Sequence, residues 1–588
     1  MVVRRFSGLT QSAFDGTSPA RARPRRDAAP TSHLFRKLKS RDLFILLVLC
    51  VLVFWVRLGR IGLIDPDEPF YAVTAQEMLQ GNDWVTPKIF GQPQFEKPIL
   101  YYWMVAASFK VFGTNEFAGR LPSALPATLL VFLVYGFTAR VFNRRTGLLA
   151  GVVLASGLEY AIMSRLMLTD IALALCIAGA MFCYWLAIED RAQRSRWVLL
   201  HFVCGGLATL TKGPVGMIVS LLATVAFSLV TRRDHPYRGR ALWLGVAAWA
   251  VIAVPWYAVM FIKFGWAYFN AFVVHENIMR FFHAEHHANN HFWYYIAVLT
   301  GGSIPWMPAF VTACSRACRT GIRHDARLVF LWSWLLTSFV FLTLTQSKLP
   351  SYIFFVFVPL AQVIAVALDE LWAKGFRDAL ERVTVITLSV LQIGIGIAAP
   401  FIKMAKPFEA PALLFSGCLA MGLIFLWRCR VGGWVAANAA ATVALVGGAL
   451  TFSADHVEAY SSARPVAEKM MAMRKGSEPL IAGIFLVRGI HFYTHQPMTV
   501  VGLEDRPFKW TQHDLPVIVG ANDSYKPPGA HRDNNLGVFL KKHGAAICTL
   551  RRSEWNVYWQ QFQWWDEANP PVWSGDNIIV RFVDKDAK

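Results

Sequence analysis

Two short charged clusters stand in the polar stretch between residues 60 and 119: Asp65-Pro66-Asp67-Glu68 and Phe95-Glu96-Lys97-Pro98. Three more charges sit at the edges of apolar runs: Asp170 in Met167-Leu168-Thr169-Asp170-Ile171, Lys212 in Thr211-Lys212-Gly213-Pro214, and Lys348 in Gln346-Ser347-Lys348-Leu349-Pro350-Ser351-Tyr352. Carboxylates mixed with ammonium groups suit attack by an oxygen nucleophile, with a base for the nucleophile and cations for an anionic leaving group. Structural readings compete with this one. Asp65 as N-cap, Pro66 at the first helical position and Glu68 closing a capping box explain two of the acids and leave Asp67 over. Glu96-Lys97 fits an exposed ion pair, and Lys212 a snorkelling side chain. Asp170 is costly at the end of a span unless it faces a cavity or a partner, for which Arg165 is the near candidate.

The elements that must position these groups are membrane helices. Of the 588 residues 55% are hydrophobic and 16% charged, which is too apolar for an ordinary soluble protein. Thirteen apolar segments lie near 43–56, 120–142, 147–164, 166–187, 197–211, 213–231, 240–262, 292–315, 327–345, 350–368, 383–402, 411–428 and 433–452, each near the length that crosses about 30 Å of hydrocarbon. Arginines and lysines fall in every second gap, from Arg140/Arg144/Arg145 to Arg428/Arg430. That alternation is the positive-inside pattern, so the net charge of +20 reports membrane orientation and gives no reason to expect a nucleic-acid partner. It places the insert 60–119, Asp67, Glu96, Lys97, Asp170, Lys212 and Lys348 at one outer face, where convergence on a shared site is possible.

Residues 1–41, rich in Arg, Pro, Ser and Ala, read as a disordered cytoplasmic tail; residues 42–453 form the membrane domain. An odd number of spans carries residues 454–588 outside. Their pattern predicts a small α/β domain, with helices at Ser462–Lys475 and Asn535–His543 and strands at Leu480–Val487, Asp514–Gly520 and Ile578–Val583. No Walker loop and no strand-turn-helix glycine motif is present, which argues against an ATP-driven pump. The nine cysteines form neither a disulfide framework nor a CxxC site. The histidines of His283-Ala284-Glu285-His286-His287 and His291 have zinc-compatible chemistry but read more simply as a polar headgroup-level loop, and a tryptophan cluster, Trp555, Trp559, Trp564, Trp565 and Trp573, suits core packing as well as sugar stacking.

A further set of stretches carries a resemblance: Pro66-Asp67-Glu68 with Tyr71-Ala72, Gly81-Asn82-Asp83-Trp84-Val85, Phe95-Glu96-Lys97-Pro98, Phe112-Gly113, Asn115-Glu116-Phe117, Thr169-Asp170, Thr211-Lys212-Gly213, Arg280-Phe281, Phe292-Trp293-Tyr294-Tyr295, Ser303-Ile304-Pro305-Trp306 and Lys348-Leu349-Pro350 with Tyr352. In these the chain resembles the bacterial aminoarabinose transferases that modify lipid A and, more broadly, the dolichyl-phosphate-mannose protein mannosyltransferases, which are membrane glycosyltransferases of the GT-C fold. The resemblance is strong to about residue 370. It implies a polytopic α-helical GT-C protein of a bacterial inner membrane that moves a sugar, with inversion, from a polyprenyl-phosphate donor to a lipid or glycan acceptor. It implies that Asp67 is the catalytic acidic residue, Asp170 the second acid of the cavity, and Glu96 a metal-site or acceptor-orienting carboxylate. By the same resemblance Lys97, Arg280 and Tyr352 hold the donor phosphate, with Glu68, Lys212 and Lys348 in support. The chain departs from the family at Phe70, where an Arg is usual, and at Asn277, where a His precedes the Ile-x-Arg-Phe stretch. A divalent metal therefore has no assigned ligands here. Protein acceptors, or polyprenyl-lipid transport without catalysis, are the rival expectations.

Overall fold

The computed structural model describes residues 39–233, 235–283, 289–502, 517–519, 536–552 and 565–584. Most of the expected N-terminal tail, the centre of the histidine-rich loop and Trp555, Trp559 and Trp564 lie outside that set. A helix is already formed at Ser40–Cys50, where the tail was expected to end.

Helices account for most of the described residues up to 461. Among the described residues eight helical stretches are long and apolar enough to cross a membrane, and the protein is a multi-pass membrane protein. Helix starts follow side-chain capping: Asn115 accepts from Ala118 N at 2.9 Å, Asn143 from Thr146 N at 3.0 Å and Asp378 from Glu381 N at 2.7 Å. Small residues let the helices approach, as lipid-embedded packing requires; a Cβ on Gly147 would lie 2.7 Å from that of Ala139, and one on Gly216 would lie 2.6 Å from that of Ala208.

Two expected spans are broken. The stretch 147–164 is interrupted at Gly157 into helices Arg144–Ser156 and Leu158–Met163. The stretch 292–315 is a helix pair, Tyr294–Gly302 and Met307–Arg319, bent by 119°. Pro305 at the bend has no N–H to continue the helical ladder, and Trp306 Nε1 anchors the corner on Ser156 Oγ at 3.1 Å.

The arginine-rich ends gather at one end of the helical body, and several of their arginines are paired with acids there. Arg144 holds Asp42 through two bonds of 2.6 Å, Arg316 binds Glu381 at 2.6 Å and Glu370 at 3.0 Å, and Arg140 binds Glu189 at 3.1 Å. The insert and the C-terminal sheet occupy the other end. That sheet has six strands in the spatial order Val517–Val519, Met498–Gly502, Leu480–Gly483, Ala545–Arg551, Asn577–Val583, Val572–Ser574; the first four are parallel and the last two antiparallel. Helices Arg464–Met473, Val487–Thr494 and Leu536–His543 accompany it. The expected strand Leu480–Val487 stops at Gly483, and Val487 opens a helix instead. The run Leu480-Ile481-Ala482 is buried on all sides, and a short apolar run alone does not separate strand from helix.

The insert and this C-terminal region are joined by buried polar contacts. Asp65 N donates to Ser461 O at 2.8 Å, Ala463 N to Asp65 Oδ2 at 2.7 Å, and Leu63 N to the Tyr493 hydroxyl at 2.7 Å; Arg464 meets Glu116 at 2.9 Å.

Candidate active site

The tetrad 65–68 divides by role. Asp65 does not cap the helix Asp67–Gln80; Pro66 holds the cap position and no side chain caps it. The Asp65 carboxylate points the other way, onto Ala463 N. Glu68 is buried and saturated: it receives Ile64 N at 2.7 Å, Met167 N at 2.7 Å, and both Nε (2.9 Å) and an NH2 (2.6 Å) of Arg120. Arg120 spends its remaining donors on the carbonyls of Leu58, Ile61 and Gly62. Glu68 is thus a structural clamp between the insert, the helix Glu116–Val141 and the link before the helix Asp170–Glu189, and its expected supporting role is one of architecture. Asp67 alone stays exposed. The packed protein around it pushes its carboxyl above the usual carboxylate range, against the opposing pull of Arg488 and Lys97 and with the help of Asp170 and Glu68.

The second strip is aimed by its own small frame. Glu77, on the helix Asp67–Gln80, accepts Phe90 N at 2.5 Å and Gly91 N at 2.9 Å at the tip of the hairpin Lys88–Ile89/Gln92–Pro93. Gln94 then accepts Glu96 N at 2.9 Å, which fixes the segment just before the helix Leu100–Phe112. Burial raises the Glu96 carboxyl, Lys97 pulls it down and Glu276 raises it again. Burial opposes the charge on Lys97, but Glu276 more than restores it, so the ammonium is held above its usual range.

Glu276 is the residue that sequence reasoning passed over. It lies in the π-helical stretch Phe269–Met279, reached after the long helix Gly239–Tyr268 is broken at Gly265 (φ 55°, ψ −137°), a conformation that suits glycine. Its Oε2 binds Lys97 Nζ at 3.2 Å and Arg280 at 2.5 Å. The spacing of four between Glu276 and Arg280 is the one signal that pointed to it.

Lys97, Glu96, Glu276, Arg280, Lys212 and Tyr352 line one cavity of about 540 Å³, whose remaining wall is mostly apolar, with Leu173, Val215, Ile218, Phe272, Phe282 and Phe341 beside Asn277, Thr345 and Ser347. Ile218 and Phe282 are 40% and 65% exposed, so the apolar side opens toward the lipid. Lys212 does not snorkel: it binds Asp170 at 2.5 Å and lies 4.7 Å from the Tyr352 ring centroid. Asp170 therefore has Lys212 as its partner, while Arg165 donates to the carbonyls of Val53 (2.9 Å) and Val56 (2.8 Å). Lys348 lies beside the cavity without lining it. Its ammonium donates to Thr345 O at 2.6 Å and Asn290 Oδ1 at 2.8 Å, and so fixes the loop that presents Ser347 and Tyr352.

Among the described residues no three His, Cys, Asp or Glu side chains gather to hold a metal ion. Lys97, Arg280 and Arg488 act on Glu96 and compete with any metal for its carboxylate. Asn277, at the family's His position, turns its amide onto Phe272 O at 2.7 Å. These residues do not fit a metal, and no step is drawn through one.

A carboxylate beside a cation-ended, lipid-facing cavity on this helical frame is the apparatus of a membrane glycosyltransferase of the GT-C fold. The model of the dolichyl-phosphate-mannose-protein mannosyltransferase family matches residues 39–273. The undecaprenyl phosphate-α-4-amino-4-deoxy-L-arabinose arabinosyl transferase of Pseudomonas aeruginosa (strain LESB58) is 31% identical over 403 residues, covering 67% of this chain and 72% of its own. The Erwinia tasmaniensis enzyme of that description is 31% identical over 388 residues, 63% of this chain and 69% of its own. ArnT from Cupriavidus metallidurans, solved bound to undecaprenyl phosphate, superposes with a TM-score of 0.72 at 21% identity, over 94% of this chain and all (100%) of the other. The chain belongs to the family of these arabinosyl transferases.

Proposed function

We propose that this enzyme transfers a sugar from a polyprenyl-phosphate donor to a lipid or glycan acceptor at the outer face of a bacterial inner membrane. The observation that carries the reading is the cavity of about 540 Å³ that joins the cations Lys97, Arg280 and Lys212 to an apolar wall open toward lipid. An anionic headgroup on an isoprenoid tail matches both ends. Tyr352 completes the phosphate end, where a planar guanidinium and an ammonium offer complementary donors. Asp67 takes the proton of the acceptor oxygen; that oxygen attacks the anomeric carbon, the bond from this carbon to the phosphate oxygen breaks with its electron pair, and polyprenyl phosphate leaves. A single displacement inverts the anomeric centre. Lys97, Arg280 and Tyr352 meet the charge that grows on the leaving oxygen, Asp170 keeps Lys212 beside them, and Glu96 orients the acceptor. The names of the relatives support undecaprenyl phosphate as carrier and aminoarabinose as sugar.

In the same reading the chain crosses the membrane thirteen times and residues 454–588 lie outside the cytoplasm. The alternation of arginine-rich gaps supports this. A reporter active only outside the cytoplasm is then bright after Asp455 and dark after His235, and the reverse pattern overturns the site assignment. For the chemistry, purified protein in nanodiscs is given synthetic undecaprenyl-phosphate sugars and a lipid extract, and release of undecaprenyl phosphate is followed with the mass of the acceptor. Arg280→Lys is expected to slow release several-fold, about tenfold at most. Lipid movement across the bilayer with no release from any donor overturns the enzymatic mechanism.

A further inference from the structure

The first turn of the helix Val487–Thr494 touches the insert helix beside Asp67. Phe70 stands three residues after Asp67 on the helix Asp67–Gln80, so the two side chains share a face. The guanidinium carbon of Arg488 lies 5.1 Å from the Phe70 ring centroid, a cation–π contact that holds the charge in place. Its neighbour locks the register: a Cβ on Gly489 would fall 2.4 Å from Asp65 Oδ1 and 2.7 Å from Oδ2, and Ala463 N grips the same carboxylate at 2.7 Å. Arg488 is 8% exposed, and a guanidinium keeps its proton at every working pH.

We propose that Arg488 is a positioning residue of the transfer reaction, the counter-charge of Asp67, delivered from the C-terminal sheet region, which is thereby part of the catalytic unit. The proposal rests on Asp67 as the base in the reading above. Four charges face Asp67, three from elsewhere in the chain and one, Glu68, from its own helix. Arg488 and Lys97 favour its ionised form and Asp170 and Glu68 oppose it, with the Tyr71 hydroxyl also within reach on its own helix. Glu68 is matched by Arg120 and Asp170 by Lys212, while Lys97 is engaged by Glu276. Arg488, which also acts on Asp65 and Glu96, is the cation with the largest effect on Asp67. Without it the carboxyl, already raised by the protein packed around it, rises further, and a base is lost as the pH falls through its pKa.

The test uses the full chain in nanodiscs with Arg488→Met, Arg488→Gln and Arg488→Lys, and a synthetic undecaprenyl-phosphate sugar that the parent accepts. The acid limb of kcat/KM is expected to move to higher pH by about one unit in the Met and Gln variants and to return close to the parent in the Lys variant. Equal loss of rate at every pH with the limb unmoved leaves Arg488 a purely structural role and overturns the proposal. If Arg488→Met does not fold, the Gln and Lys pair decides, since both keep a polar stem. The protonated-carboxyl infrared band that is lost in Asp67→Asn gives the same titration without turnover. A shift of that band in Arg488→Gln supports the counter-charge even if no donor is turned over, in which case only the reading of the reaction fails; an unmoved band overturns the counter-charge.

Discussion

The two ends of the helical body treat charge in opposite ways. At the arginine-rich end Arg144 meets Asp42 through two bonds of 2.6 Å, and Arg316 is held by two acids, Glu381 at 2.6 Å and Glu370 at 3.0 Å. At the other end one carboxylate, Glu276, is shared between Lys97 and Arg280, and Asp67 is acted on by charges rather than held by hydrogen bonds. Closed pairs fix helix ends; a carboxylate shared between two cations is one that an anionic ligand can displace. The same division recurs inside four residues, where Glu68 is fully bonded and Asp67 is open. Local rules of structure fail at a functional site for a reason.

This contrast can be broken most directly at Asp67. Asp67→Asn keeps the shape of the side chain and removes its charge, and turnover is expected to fall on the order of 10²-fold or more with normal membrane insertion. In the parent, the acid limb of the rate profile is expected above the usual carboxylate range, because the protein packed around the partly exposed Asp67 raises its carboxyl and a base works only when ionised. Lys97→Ala follows, with a loss of about tenfold in release of undecaprenyl phosphate, whereas Lys403→Ala, at an exposed outer position, is expected to keep the parent rate. Parent-rate release by Lys97→Ala with every donor ends its phosphate-holding role. Glu68→Gln acts on a different quantity. It strands the buried Arg120 charge at a cost of about 3 kcal/mol or more, so thermal stability and folded yield drop while turnover per folded molecule stays within about twofold of the parent. Asp42→Asn, at the saturated end, is expected to cost stability alone and leave both the rate and its pH profile in place; a changed profile would mean that the two ends are coupled.

Much of the candidate site was legible in the chain because the residues that the structure brings together sit in short, type-specific stretches. Asp67, Lys97, Arg280 and Tyr352 each belong to one, and the positions of basic residues gave the end of the bundle at which they meet. The missing part has a common physical origin. Glu276 sits beside a motif but takes its meaning from Lys97, on the insert, and from a π-helical stretch that no periodicity announces. Arg488 comes from the C-terminal region, and nothing in the pattern of Val487–Thr494 marks it as facing the insert. Asp65 and Glu68 followed a capping signature closely, yet tertiary partners, Ala463 and Arg120, claimed both side chains. The bend between Gly302 and Met307 was written in Gly301-Gly302 and Pro305, but span length alone hid it.

The sharing of Glu276 between Lys97 and Arg280 has a consequence for the rhythm of turnover. An incoming headgroup competes with an internal anion, so the cavity ranks its occupants by charge. The donor is a phosphodiester with one negative charge, and the spent carrier is a monoester that carries up to two. The spent carrier displaces Glu276 more effectively than the donor, and the feature that favours bond cleavage also delays departure. On the proposed function, free carrier lipid is then expected to compete with the donor for the cavity, and turnover to slow as it accumulates.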